Sequence, residues 1–425
     1  MKCPHAASRL SGTGYPPAVP EFAGTSPAEI DDDSWLTPGV RGIGVASLLS
    51  DLGHEIPTSL LPSLLTSTLG APASALGLIE GISDGAAGIA RFAGGALADD
   101  PRRRQRTAIG GYASTAVLTA ATAGATAAWQ VGLLRTAGWT ARGLRVPARN
   151  ALLADVVAPK RYGAAYGFER MMDNLGAIGG PLLAIGLITA VGIRGAIALS
   201  VIPGLLAVVA IMYAIRHTPT PTVQERRPIR IRVRPVLQRR LRGLFVGIGA
   251  FEVGNVAATL LILRATELLT PGRSDTQATT IALLLYAAYN AAATLTSIPA
   301  GRSVDRFSAR HVLMVGVTAF LIAYVGFAVD TANWWALAPW FLLAGVGIGC
   351  VETAEHAAVA THAPDDLRGS AFGFLAGIQS FGNLAASGIA GILWATISPT
   401  AAFAYIATWM LIALITLSRT DRHAS

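Results

Sequence analysis

The sequence predicts an all-α polytopic membrane protein: twelve transmembrane helices in two pseudo-symmetric six-helix bundles. Three observations lead there. The 425 residues are 52% apolar and only 14% charged, with a mean hydropathy of +0.50. A soluble chain of this length would divide into two or three domains with far more surface charge. The apolar residues fall in runs of roughly 20, enough to cross a hydrocarbon core of about 30 Å as helix. Third, the chain echoes itself at an interval of 206 residues: Gly301-Arg302-Ser303-Val304-Asp305-Arg306-Phe307-Ser308-Ala309-Arg310 repeats the glycine, aspartate and terminal arginine of Gly95-Ala96-Leu97-Ala98-Asp99-Asp100-Pro101-Arg102-Arg103-Arg104. In the same register Gly163-Ala164-Ala165-Tyr166-Gly167-Phe168 aligns with Gly369-Ser370-Ala371-Phe372-Gly373-Phe374, and Gly176 with Gly382. Such long-period self-similarity marks a duplicated membrane unit, because each half needs the other to enclose a polar path.

Taken in order, residues 1–38 form a Pro-, Gly- and Ser-rich tail with Glu29, Asp31, Asp32 and Asp33 and no apolar h-region after Lys2, which reads as a disordered cytoplasmic segment without a signal peptide. An N-terminal six-helix bundle over 39–215 follows, with spans at about 40–66, 74–98, 107–127, 130–155, 166–190 and 194–215. The linker over 216–241 is polar and basic, with Pro219, Pro221, Pro228 and Pro235 among Arg226, Arg227, Arg230, Arg232 and Arg234. The C-terminal six-helix bundle occupies 242–418, with spans at about 242–268, 277–300, 311–330, 333–360, 370–396 and 400–418, and 419–425 form a short cytoplasmic tail.

Net charge is +8, yet the basic residues sit in short connectors and not on an amphipathic face with interleaved aromatics, which argues against nucleic acid as a partner. Connectors after the even-numbered spans carry Arg102 to Arg106, Lys160 and Arg161, the central basic run, Arg302 to Arg310, and Arg368. Those after the odd-numbered spans hold only Arg194 and Arg273. The positive-inside bias therefore puts both termini in the cytoplasm of a cell whose inner (plasma) membrane holds the chain. Cys3 and Cys350 imply neither a disulfide framework nor a Cys-based metal cluster.

Two six-helix halves, a basic central linker and the doubled Gly-x-x-x-Asp loop with its arginines resemble the major facilitator superfamily over residues ~40–418. The resemblance implies that Asp99 and Asp305 meet the start of a helix in the opposite half, and that Gly95, Arg103, Gly301, Arg306 and Arg310 belong to the same conformational switch. A carboxylate at a helix N-terminus is favoured by about 0.3–1 kcal/mol. Asp100 stands where the family usually has arginine. Gly176, Gly180 and Pro181 resemble the helix-packing element of the family's proton-driven exporters, without its trailing Gly-Gly; Ala184 and Ile185 stand there instead. Glycines at this spacing allow close helix approach and the proline permits a bend.

An ionised residue at mid-bilayer costs ~2.5–3.5 kcal/mol or more, so embedded charges mark partners or a wet cavity. Asp51 and Glu55, with His54, share one face of the first span; Glu80 and Asp84 share one face of the second. Counted at 1.5 Å per residue, Asp51 and Asp84 fall about 15 Å into the membrane, and Glu55 and Glu80 in the outer third, so the four could form two rungs facing one cavity. These are the candidate proton and substrate acids. Their structural alternative is that they tie helices to the arginines of the fourth span, with Arg142 near the midplane as counterion to Asp51 or as an anion site. Arg145 and Arg149 are expected to meet Glu352 and Glu355, beside His356, as an inner gate. The second half offers Glu252, Asn255, Tyr286, Tyr289, Asn290, Gln379 and Asn383 for gripping a solute, or simply for hydrogen bonds between helices.

These readings converge on a monomeric secondary transporter that moves a small solute by alternating access, proton-coupled and working as an exporter, with the proton gradient in place of any cofactor. No Gly-x-x-x-x-Gly-Lys-Ser/Thr loop is present to use ATP, and no nucleophile–base set to make it an enzyme. The alternatives are uptake of an anionic metabolite through Arg142, efflux of a divalent transition metal through Asp51-His54-Glu55 and Glu352-Glu355-His356, and a non-transporting receptor on the same fold.

Overall fold

The computed structural model of the chain describes residues 34–218, 229–237, 239–329 and 331–419. The expected tail over 1–33, the linker positions Pro219, Pro221, Arg226, Arg227 and Pro228, and residues 420–425 lie outside the described residues. No strand occurs among the described residues. The helices are α1 (Pro38–Ser63), α2 (Ala73–Ala98), α3 (Pro101–Ala121), α4 (Ala128–Asp155), α5 (Tyr162–Leu199), α6 (Val201–Arg216), the single turn α7 (Val233–Val236), α8 (Arg239–Gly254), α9 (Ala258–Leu269), α10 (Asp275–Arg306), α11 (Ala309–Ala328), α12 (Trp334–His362), α13 (Arg368–Thr396) and α14 (Pro399–Arg419).

Local chemistry explains the starts and breaks. Thr37 caps α1 by accepting from Val40 N at 3.2 Å and also donates to Val156 O at 2.9 Å, while Trp35 meets Phe168 edge-on. The last residues of the expected disordered tail are thus packed, because an aromatic ring and a cap tie them to the bundle. Asp100 caps α3 by accepting from Arg102 N, with Pro101 at the first helical position, so the third helix begins six residues earlier than its apolar run. Inside α5, Gly192 has φ +72°, a conformation that glycine adopts without strain, and the chain turns there into the next crossing.

Two expectations need correction. The repeated Gly-x-x-x-Asp segments are not loops through their length: Gly95 lies inside α2, and α10 runs on through Gly301 and Asp305 to Arg306. Apolar runs end where the membrane ends, whereas backbone hydrogen bonding can continue into water. The span expected to be continuous over about 242–268 is broken at residues 255–257 between α8 and α9. Asn383 Nδ2 donates to the freed Asn255 O at 2.8 Å, and Ala257 N donates to Ser387 Oγ at 2.9 Å. Non-helical backbone survives at membrane depth only where such groups or a polar cavity satisfy it.

The helix neighbours repeat with the 206-residue register. In the first half α1 contacts α5 and α6, α2 contacts α4, and α3 contacts α4 and α6; in the second, α8 contacts α13 and α14, α10 contacts α12, and α11 contacts α12 and α14. Two seams join the halves, α2 against α13 and α5 against α10. One apolar core, around Tyr112, Tyr166 and Phe372, spans both halves at the end carrying the basic connectors. A second, around Phe251, Phe320 and Phe327, belongs to the second half. Among the described residues, six segments are apolar and long enough to cross a membrane on hydropathy alone. The charge-bearing α1, α2 and α4 are not among them.

Candidate functional site

At the basic-connector end the two halves touch through glycines. A Cβ on Gly95 would strike Gly369 O and Gly373 Cα, and one on Gly163 would strike Gly301 O, so these helices approach backbone to backbone. Beside each contact a carboxylate caps a helix of the other half. Asp305 accepts from Gly163 N at 2.7 Å and Ala164 N at 2.9 Å at the start of α5; Asp99 accepts from Ser370 N at 2.7 Å and Ser370 Oγ at 2.5 Å at the start of α13. Burial lifts the Asp99 carboxyl above the ordinary carboxylate range, against the pull of both Ser370 bonds.

The arginines divide differently from expectation. Arg103 meets Asp100 of its own helix start, at 3.6 Å, and is one-third exposed; Arg306 lies over the Phe307 ring; Arg310 donates to Leu417 O and Ser418 O of α14. The buried Arg104, one residue on, binds Ala98 O at 2.8 Å and pairs with Asp155, both in its own half, and so reaches the other half only through Asp155. Asp155 is also 3.5 Å from Arg368 of α13.

Away from this closed end the seam opens. A Cβ on Gly77, Gly81 or Gly85 of α2, or on Gly388 or Gly391 of α13, would meet nothing within 4 Å. Between the splayed helices lies a cavity of about 650 Å³ reached by residues of α1, α2, α4, α5, α8, α12 and α13.

The four first-half acids do not form two rungs facing this cavity. Glu55 and Asp84 line it, whereas Asp51 and Glu80 do not. Asp51, 4% exposed, is 3.2 Å from His54 Nδ1 and 3.3 Å from Arg142 Nη2, while His54 Nε2 is 3.2 Å from Glu55. Glu80 takes Arg135 at 2.8 Å, and Asp84 accepts from Trp139 Nε1 at 2.8 Å. Desolvated charge is held by the nearest cation or donor: α4 supplies one to Asp51, Glu80 and Asp84, and His54 of α1 supplies the one for Glu55. Gly176 and Gly180 set α5 against α1 at Asp51 and Glu55, with Pro181 following in α5.

The expected Arg145 and Arg149 pairs with Glu352 and Glu355 are absent. Arg149 instead meets Glu169 at 2.8 Å, Asp173 at 3.3 Å and Ser47 Oγ at 2.8 Å, all in its own half. Arg145 lies over the Tyr112 ring, 3.9 Å from its centroid, with no carboxylate in ion-pair range among the described residues. Arg170 is the residue that reaches across, 4.0 Å from Glu352. Glu355 accepts from Gln379 Nε2 at 2.9 Å, and His356 Nδ1 is 2.7 Å from Glu352 O, its ring near Tyr166 and Phe372. The cluster Glu169, Arg170 and Asp173 escaped the sequence reading, although three charges within five residues of one apolar span were its signal.

Glu252, Asn255, Gln379 and Asn383 line the cavity, joined by Arg91, Ser380 and Ser387, which sequence reasoning passed over. Arg91 crosses from α2 to donate to Ala376 O at 2.8 Å and to Ser380 Oγ. Tyr286, Tyr289 and Asn290 do not line it. The two rings stack 5.6 Å apart against the second-half core, and Asn290 donates back to Tyr286 O at 3.0 Å, so these side chains serve helix packing.

Comparison with known proteins accords with this architecture. The chain is 28% identical over 379 residues to an uncharacterised MFS-type transporter of Methanocaldococcus jannaschii, covering 88% of this chain and 93% of that one. It is 29% identical over 362 residues to an uncharacterised protein of Mycobacterium tuberculosis, covering 84% and 86%. Among solved structures, a bacterial homologue of the iron transporter ferroportin in an outward-facing state matches with a TM-score of 0.71 at 14% identity, covering 91% of this chain and 100% of that one. The human organic anion transporter MFSD10 matches at 0.68 and 15% identity (89% and 99% covered), and the proton:xylose symporter XylE at 0.66 and 14% (90% and 95% covered). The profile described as Major Facilitator Superfamily matches residues 43–270 and 272–425. Matched through both of its halves, the chain belongs to the major facilitator superfamily and is a membrane transporter, not an enzyme.

Proposed function

We propose that this protein is a proton-driven exporter of a small organic solute that works by alternating access, and that the conformation described is the one open to the outside. One observation carries the reading. Each half clasps the other through a carboxylate and a glycine contact at the basic-connector end, and beyond that clasp α2 and α13 part around the polar cavity. Carboxylate caps and glycine contacts that can be made and unmade suit a rocking motion. The basic connectors support a cytoplasmic closed end, both termini cytoplasmic, in the inner membrane. The seat of α5 on α1 through Gly176 and Gly180 supports export. The cavity is complete within one chain, which supports a monomer. The neighbouring structures carry sugar, iron and organic anions by name, so they leave the solute open.

The test is solid-supported-membrane electrophysiology of the purified protein against a compound library, followed by flux in oriented vesicles. Solute should move against an inward proton gradient and towards the outside. Accumulation in the opposite direction, or flux indifferent to the gradient, overturns the corresponding part.

A second reading, uptake of an organic anion, is favoured by Arg91 and Arg145. Both line the cavity without a carboxylate partner among the described residues, and Arg91 Nε and Arg145 Nε and Nη1 have no hydrogen-bond partner there. The metal reading loses support, since His54 is wedged between Asp51 and Glu55 against Arg142, where a second cation would be repelled.

A further inference from the structure

The acids of the first half are mostly committed to cations or donors. Asp51 has His54 and Arg142, Glu80 has Arg135, Glu169 and Asp173 share Arg149 and Arg170, and Glu55 has His54. A proton arriving at any of these would have to displace a positive group. The second half is built the other way. Glu252 on α8 and Glu355 on α12 are 4% and 0% exposed and lie within electrostatic reach of each other. Among the described residues their hydrogen-bond donors are amides: Asn255 Nδ2 to Glu252 at 3.1 Å, and Gln379 Nε2 to Glu355 Oε2 at 2.9 Å, with Glu355 Oε1 left without a partner there. Among the described residues no Arg, Lys or His nitrogen lies within 4.0 Å of either carboxyl.

The neighbours on every side supply no closer cation. Arg91 of α2, which faces Glu252, is bound to Ala376 O and Ser380 Oγ. From α12 come Glu352, whose cation is Arg170 at 4.0 Å, and His356, whose Nδ1 is turned to Glu352 O. Tyr324 of α11 faces Glu252, Tyr289 of α10 faces Glu352, and Tyr405 of α14 donates to Val253 O.

We propose that Glu252 and Glu355 are the proton-binding site of this transporter. The inference rests on the proton coupling proposed above. A buried carboxylate without a cation is strongly disfavoured, and an O–H bond formed with a proton from cavity water neutralises it without moving an arginine. Glu252, Asn255 and Gln379 line the cavity and give that proton its way in. A metal cation fits poorly, because it needs several oxygen ligands and the two nearest side chains present N–H donors. The site also has a mechanical connection. Asn255 opens the break between α8 and α9, and that break is held to α13 by Asn383 and Ser387. Protonation at Glu252 therefore acts on the bond to Asn255, which leads to the helix that the Asp99 clasp holds.

The experiment reads protons directly and needs no solute. Infrared difference spectra of the protein in lipid, between mildly acidic and mildly alkaline buffer, report the carbonyl stretch of a protonated carboxyl. The wild type should show a pH-dependent band. Glu252→Gln and Glu355→Gln should each remove or shift it, Glu355→Asp should keep it at a displaced frequency, and Asp51→Asn should leave it in place. Size-exclusion profiles matched to the wild type establish that each variant is folded. A band that survives both Gln variants and vanishes in Asp51→Asn or Asp84→Asn overturns this site while leaving proton coupling intact. No band in the wild type overturns the coupling as well. A band that follows sodium at constant pH makes the site a cation site and also overturns the proposal.

Discussion

Replacing Asp305 by Asn removes the negative charge from a helix start while keeping the side chain's shape. In the clasped state Asp305 receives two backbone N–H bonds, at 2.7 and 2.9 Å. Hydrogen bonds to a charged acceptor contribute about 1.5–3 kcal/mol each and neutral ones about 0.5–1.5. The change therefore costs about 1 kcal/mol per bond, and about 0.3–1 kcal/mol of helix-terminus interaction goes with it. Asn also turns an N–H towards one of the two donors. Asp305 is only partly buried, which trims the sum to about 2 kcal/mol, or a factor of about 30 between open and closed populations. Because the bonds exist only when the basic-connector end is shut, the whole loss falls on that state. Spin labels at Gly81→Cys and Gly388→Cys, in a Cys3→Ser, Cys350→Ala background, measure the splay at the far end, where a new side chain meets open space. The long-distance population should fall about 30-fold relative to the short one in Asp305→Asn. Asp99→Asn should act similarly, and the two should add, since their hydrogen-bond partners lie on different helices, α13 and α5. An unchanged distance distribution in both single variants would refute the clasp as the determinant of this state.

Other substitutions probe neighbouring statements. Gly163→Ala sets a methyl against Gly301 O and should abolish closure at that end, read as loss of the long-distance population with the protein still monodisperse. Arg149→Gln leaves the fully buried Glu169 with Arg170 as its remaining cation and Ser47 Oγ as a neutral donor, and should destabilise the first half by about 3–5 kcal/mol, seen as a lowered melting temperature in detergent. Arg103→Ala, which removes one partly exposed pair, should change stability by about 0–1 kcal/mol. Arg104→Ala should cost several times more, since it strips Asp155 and Ala98 O of a buried partner.

Much of the architecture was legible in the chain itself. The 206-residue echo, the apolar run lengths and the alternation of basic connectors required two matched helical halves, because the hydrocarbon core constrains span length and the backbone must satisfy itself within it. The roles of Asp99 and Asp305 were open to inference from resemblance, and the contacts that they make run between the halves.

The break at residues 255–257 was not legible. It is held by Asn383 and Ser387, more than a hundred residues away, and its local signal, Gly254-Asn255, is a weak one inside an apolar run. Pairing was the other blind spot. Helical spacing shows which charges share a face, but not which neighbouring helix that face meets. Arg149 therefore went to Glu169 and not to Glu352, and Arg170 took the crossing that had been expected of it. The sequence by itself determined that these charges must lie within a membrane-embedded, duplicated bundle. Only the tertiary structure decided that Asp51, Glu80, Glu169 and Asp173 meet arginine while Glu252 and Glu355 do not, because charge compensation depends on distances of a few ångströms between helices that the order of residues leaves free.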